Sequence, residues 1–391
     1  MSNYQRAACL ACFLIFVLVG IHFHNPDRSF LRSTPRRHVA APLKLWHNHF
    51  ITEFSIGTPP QPLRGLIQHG SQDVVIPSTA CEASLCGQHR AYDRNQSSTA
   101  AVNPVAVLSP GHRSTPKNSI VTSDTFAIAG IDISNQPFYE DSLVGYEDFD
   151  TDPGFDVHLS LSPTTKPEVS GLDSPFSSMI KQGLLDVNCF SLKPPHNETG
   201  QPGELTFGRT NEINCLDRKL TRIPLTGEIS RSGVPWTPWQ VEARAVHTAG
   251  ESTTLVGHTA IIDAGSPSIT LSRRALAPLY RVLQPIDYLG YTSRAVNCNR
   301  RDSLPDLTIN LGGHNFTITA YEYTHETQFQ GEVRCLLTLD DTFGEEQGWS
   351  ILGSPFLKRF YSVFDWDNQN IGLIPLNQLN EEPNSQRSDS L

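Results

Sequence analysis

Two stretches of this chain are built alike, and together they constrain what it can fold into. FSIGTPPQPLRGLIQHGSQDVVIPS runs from Phe54 to Ser78, and HTAIIDAGSPSITLS from His258 to Ser272. Each is an aliphatic and β-branched run that ends in a polar residue, a tight turn and a Gly-Ser pair. A run of this kind reads as a buried strand that delivers a polar side chain at its tip. That residue is Gln68 in the first stretch, before Gly70 and Ser71, and Asp263 in the second, before Ala264, Gly265 and Ser266. The pair reads as two halves of one site carrying unlike groups. A length of 391 residues exceeds the single core of about 250 that one domain usually builds, so two domains are expected. Abundant Gly and Pro among many short β-rich runs point to an all-β class.

Further motifs follow in order: VIPSTACEASLC, SSTA, NQPF, QGLLD, GELTFG, LPDLTINLGG and WSILGSPFLKRFYSVFDWDNQNIGL. With IGTPPQ and the Gly-Ser turns, this set resembles the pepsin-like aspartic peptidases over nearly all of Trp46 to Asn377. The resemblance implies an all-β, two-lobed fold with a cleft between the lobes and a few short helices. It divides the chain into residues 1–24 as signal peptide or signal-anchor, 25–45 as a short basic prosegment or linker, 46–225 and 226–377 as the two β lobes, and 378–391 as a disordered acidic tail. In that family each turn reads Asp-Thr-Gly. Ungapped alignment from Ile56 to Ser71 puts Gln68 on the first catalytic aspartate and His69 on the threonine. Asp263 falls on the second aspartate, Ala264 replaces its threonine and Gly265 is kept.

Other departures cluster in the first lobe. Val75 stands where the family has a tryptophan, and the flap expected between Val105 and Phe126 places His112 at its tyrosine. Pro110 and Pro116 interrupt that hairpin, since proline cannot donate to a ladder. In FDVHLSLSP, Ser160 occupies a glycine position, whereas the second lobe keeps Gly353 in ILG. Two helices are expected: one capped by Ser174 and stopping at Gly183, and one after Ser272 with Leu276, Leu279, Tyr280 and Leu283 on one face.

Near the N-terminus, AACLACFLIFVLVGIHF is long for a signal peptide and short for a spanning helix. Cleavage gives a secreted or secretory-lumen protein; retention gives a type II membrane anchor, the one membrane association expected. Glycosylation triplets at Asn95, Asn197 and Asn315 agree with export. Six cysteines follow the apolar run, which allows fifteen pairings. The resemblance implies Cys81 with Cys86 and Cys298 with Cys335, which leaves Cys189 with Cys215. Cys81, Cys86 and His89 lack a nearby fourth ligand for zinc, so no metal is expected, nor any other cofactor. A formal charge of -10 without clustered Lys and Arg argues against nucleic acid.

An aspartic peptidase shares one proton between two close carboxyls, so that one acts as base on water and the other as acid toward the amide carbonyl. Gln68 does not titrate and cannot relay a proton. The expectation is a monomeric secreted homologue, inactive or very weak as a peptidase, that binds a peptide or protein in its cleft. An active endopeptidase with a rearranged site using Asp263 and His69 is the alternative, and a glycoprotein without a working cleft is a third. The position after the aspartate faces the opposite turn, which favours packing for His69 over catalysis.

Overall fold

In HFITEFSI the buried face repeats every second residue. His49–Ile56 accordingly forms a strand with Phe50, Thr52, Phe54 and Ile56 inside and Glu53 exposed. The computed structural model describes residues 39–70, 74–81, 87–103, 120–141, 154–163, 172–195, 201–208, 219–227, 237–287, 294–329, 332–341 and 348–379. Residues His38–Leu391 form one compact unit. The expectations for His112, Ser71, Cys86, Cys215 and Asn197, and for the apolar N-terminal run, lie outside the described residues.

The first lobe contains β1 (Val39–Trp46), β2 (His49–Ile56), β3 (Gln61–Gln68), β4 (Val75–Pro77), β5 (Ala101–Asn103), β6 (Ile120–Ile128), β7 (Ile131–Asp141) and β8 (Val157–Ser160). Helix α1 (Pro175–Lys181) then leads to β9 (Cys189–Lys193), β10 (Gly203–Phe207) and β11 (Thr221–Pro224). As its spacing predicts, α1 is capped by the Ser174 hydroxyl, which accepts from Ser177 N at 3.1 Å. β1 takes in residues 39–45, which the sequence alone assigned to the segment before the lobe.

The second lobe contains β12 (Gln240–Thr248), β13 (Glu251–Ile262), β14 (Ile269–Thr270), α2 (Arg273–Leu283), β15 (Ile286–Asp287) and β16 (Arg294–Val296). β17 (Leu307–Leu311), β18 (His314–Ile318), α3 (Ala320–Tyr323), β19 (Thr324–Phe329), β20 (Glu332–Leu337) and β21 (Leu339–Asp340) follow. The last elements are β22 (Trp349–Leu352), α4 (Ser354–Leu357), β23 (Phe360–Asp365) and β24 (Asn370–Pro375). Ser272 caps α2 by accepting from Ala275 N at 3.3 Å, and Leu276, Leu279 and Leu283 are buried on one face.

The largest sheet has the order β11-β24-β23-β9-β10-β1-β2-β3-β8-β4-β7-β6-β5. It joins the lobes, because β23 and β24 return from the C-terminal end to pair with β9 and β11. Phe190 of β9 stacks on Phe364 of β23 at 4.7 Å, and the buried Trp239 meets both edge-on. A second sheet, β18-β17-β12-β13-β22-β14-β21, builds the other lobe, with a smaller sheet β15-β16-β20-β19 beside it. Cys298 and Cys335 are bridged, as the resemblance implies, closing a separation of 37 residues. In the chain-entropy account, such a loop stabilises by about 4 kcal/mol. Cys81 is also disulfide-bonded. Cys189 is buried, and Asn95 and Asn315 lie exposed on the surface.

An ion pair places β8 beside β3. Asp156, fully buried just before β8, accepts from Arg64 N at 2.8 Å, Arg64 Nη2 at 2.6 Å and Arg90 N at 2.9 Å. Several donors on one buried carboxylate are what offset its desolvation.

Candidate active site

The two strand tips occupy equivalent places in the lobes. β3 runs parallel to β8 with Gln68 opposite Ser160, and β13 runs parallel to β22 with Ile262 opposite Leu352. The next residue, Asp263, donates its N–H to Leu352 O at 3.2 Å; in the first lobe the corresponding bond runs the other way, from Leu161 N to Gln68 O at 3.0 Å. Ile67 and Ile262 are completely buried, so each strand is anchored one residue before its polar tip.

The turns that follow close on one another. His69 N donates to Asp263 Oδ1 at 2.7 Å and Gly265 N to the same oxygen at 3.0 Å, with a third backbone bond from Gly70. A Cβ on Gly70 would lie 2.4 Å from Asp263 Oδ2, and one on Gly265 would lie 2.5 Å from Gln68 Cβ. Both positions therefore require glycine for close approach. Gln68, His69, Gly70, Asp263, Ala264 and Gly265 are thus brought together, with Ser266 behind them bonding Ser268 O at 3.2 Å.

Burial pushes the Asp263 pKa up, against the pull of its three N–H donors. A raised carboxyl pKa means that the folded state binds more protons, so this residue's contribution to stability is greatest in acid and is lost as pH rises through the folded value. Asp263→Asn keeps an oxygen acceptor and removes the charge. Thermal unfolding at pH 3.5 and pH 7 is expected to show the variant gaining on wild type only at the higher pH. An equal difference at both would show that the carboxyl is not strained by burial.

His69 does not point into the site. Its ring is fully buried and packs 4.4 Å from Phe364 and 5.2 Å from Phe190, with Nδ1 at 3.5 Å from Ala264 N. Burial pushes its pKa down to about 3, with a hydrogen bond to the Ile262 backbone opposing. The ring is neutral across the physiological range and welds the two turns to the aromatic layer of the inter-lobe sheet.

Gln68 has a neighbour that motif matching missed. His158 of β8 places Nδ1 at 3.1 Å from Gln68 Oε1, and its ring meets Phe155 edge-on at 5.3 Å. One histidine within a strand carries no spacing signal, but its position two residues before Ser160 puts it on the face of β8 that Ser160 shares. A cavity of about 500 Å³ lined by Pro42, Trp46, Arg64 and Gly154 belongs elsewhere. Arg64 lies four residues back along β3 from Gln68, roughly 13 Å at strand rise.

Among the described residues no helix is long and apolar enough to cross a membrane. The profile of the family described as eukaryotic aspartyl protease matches residues 49–376. The chain is 31% identical to vacuolar protease A of Aspergillus fumigatus over 334 residues, covering 83% of this chain and 78% of the relative. It is 32% identical to vacuolar protease A of Arthroderma otae, covering 83% and 77%, and 29% identical to pepsin A of Gallus gallus, covering 82% and 83%. With two parallel-backed strand tips meeting at one carboxyl and this span of similarity, the chain belongs to the eukaryotic aspartyl protease family and has its two-lobed, pepsin-like fold.

Proposed function

We propose that this protein is a pseudo-peptidase of the secretory pathway, which keeps the inter-lobe cleft for binding peptide or protein segments without hydrolysing them. The observation that carries the reading is the unlike pair at the two strand tips: one turn carries the Asp263 carboxyl, and the strand tip that abuts it at Gly265 ends in an amide, Gln68, where the family's chemistry needs a second carboxyl. His69 does not replace it, because its ring is buried among aromatics and neutral. A lone carboxyl can bind a water but cannot hold one proton between two acids. The Gln68 amide, bonded to His158 through its oxygen, instead offers hydrogen-bonding groups to a peptide backbone. The relatives' names place several of them in the vacuole, which agrees with an exported chain.

The test is cleavage of a mixed peptide library between pH 3 and 6 by protein lacking the N-terminal segment, with Asp263→Ala as control. Wild type and control are expected to be indistinguishable, while immobilised wild type retains a subset of the library. Cleavage that vanishes in the control would replace this reading with an active peptidase built on Asp263.

A further inference from the structure

The hairpin of β17 and β18 ends one side of the second-lobe sheet, and its outer strand is unlike the other strands that end a sheet. Among the described residues, each of those others carries a charge or a proline, or is very short. β11 has Arg222 and Pro224, β19 has Glu326, β15 and β21 are two residues long and end in Asp287 and Asp340, and β5 has three residues. Such features keep an open edge from pairing with another chain. β18 reads HNFTI, with Phe316 and Ile318 buried on one face and no Lys, Arg, Asp, Glu or Pro. What it carries instead is the acceptor triplet Asn315-Phe316-Thr317.

The two polar residues of the triplet belong to that edge. Gly312 and Gly313, with φ of 55° and 95°, form a two-residue turn that closes on Leu311 opposite His314. Pairs in an antiparallel ladder alternate between hydrogen-bonded and non-hydrogen-bonded, so Asn310 with Asn315 and Thr308 with Thr317 are of the second, closer kind. Their side chains meet accordingly: Asn310 Nδ2 donates to Asn315 Oδ1 at 2.7 Å, and the Thr308 and Thr317 hydroxyls lie 2.8 Å apart. The backbone N–H and C=O of Asn315 and Thr317 therefore point away from β17, into the open edge. A chain of donors orients the Asn315 amide. Gly313 N can only donate, and does so to Asn310 Oδ1 at 3.1 Å, so Asn310 turns Nδ2 toward Asn315, which meets it with Oδ1. Asn315 Nδ2, the atom that takes a sugar, is left turned away from Asn310.

We propose that an N-linked glycan on Asn315 guards this edge, and that without it β18 pairs antiparallel with the β18 of a second copy of this chain. Attachment joins Asn315 Nδ2 to the anomeric carbon of an oligosaccharide and breaks that carbon's bond to the diphosphate of a polyprenyl lipid carrier. The lipid diphosphate leaves, and one amide proton is released. An edge that meets itself makes a two-fold contact, in which the outward N–H and C=O groups of Asn315 and Thr317 reach their counterparts in the other copy. A bulky, hydrated oligosaccharide rooted at Asn315 takes up the space which that contact needs. The proposal rests on export of the chain and not on what the cleft binds.

The test uses the full chain secreted from a eukaryotic host, with glycopeptide mass spectrometry and sedimentation velocity over a range of concentrations. Wild type and Thr317→Ser, which keeps the triplet, are expected to carry a glycan at Asn315 and to sediment as monomers. Asn315→Gln and Thr317→Val, which lose it, are expected to rise toward about twice the monomer mass as concentration increases. Asn315→Lys also loses the glycan but gives the edge a charge, and is expected to stay monomeric. Should neither uncharged variant fold, wild type trimmed to its first sugar in the folded state takes their place with the same expectation. Glycan-free protein that stays monomeric overturns the proposal, and so does association of Asn315→Lys equal to that of Asn315→Gln, which places the contact elsewhere. A glycan on Asn95 with none on Asn315 overturns this proposal alone, whereas no glycan on any acceptor overturns export as well.

Discussion

Gln68→Asp is expected to give this protein acid-range peptidase activity well above its wild-type background. The two turns already abut closely enough that Gly70 and Gly265 leave no room for a Cβ, so an aspartate at 68 would enter beside the Asp263 carboxyl without remodelling the backbone. Two carboxyls so placed split their pKa values and share a proton, which is the missing half of the chemistry. A positioned acid or base is worth about 10²- to 10⁴-fold, and the gain should fall in that range. The measurement is the rate of library cleavage at pH 3 to 6 against Gln68→Asp, Asp263→Ala as background. Activity should decline toward neutrality as the shared proton is lost. Because His69 replaces the family's threonine, Gln68→Asp, His69→Thr serves as a second variant. If both stay at background while folded and disulfide-bonded, Gln68 is not what separates this chain from its relatives, and the altered flap region becomes the cause.

How much of this was legible beforehand follows from the range of each interaction. The strands ending at Gln68 and Asp263, and the helices capped by Ser174 and Ser272, were legible because period and caps act over a few residues. Gly353 was legible through its motif. β1 was not, because HVAAPLKLW carries His, Pro and Lys without a clean alternation; it becomes a strand only through pairing with β10 and β2. The partnership of Gln68 with His158 spans 90 residues, that of Arg64 with Asp156 spans 92, and that of Lys358 with Asn48 spans 310. No local pattern encodes such pairs. The turn position suggested that His69 packs, but the layer that receives it, Phe190 and Phe364, comes from strands of both lobes and emerged only with the sheet order.

The largest loss of stability is expected at Gly353, and the reason bears on why the lobes diverged unequally. A Cβ there would sit 2.3 Å from both Ser266 O and Ser268 O, carbonyls of the turn that carries Asp263. Neither is the end of a flexible side chain, and Gly353 N is itself bonded to Ser268 O at 3.1 Å. Overpacking usually costs about 1 to 3 kcal/mol; with two backbone atoms in the way, Gly353→Ala should reach or exceed the top of that range. The equivalent place in the first lobe already carries a side chain. Ser160 is fully buried and accepts from Ser162 N at 3.3 Å, so its backbone has already adjusted to a Cβ. Ser160→Gly therefore loses the bonding of its hydroxyl, that with Ser162 N included, and some chain stiffness, about 1 to 2 kcal/mol in all. Urea midpoints for the two variants should differ by more than either differs between replicates, with Gly353→Ala the lower. If Gly353→Ala unfolds with Ser160→Gly, the second turn can retreat as the first has done, and its tight geometry no longer explains why the second lobe kept its glycine while the first did not.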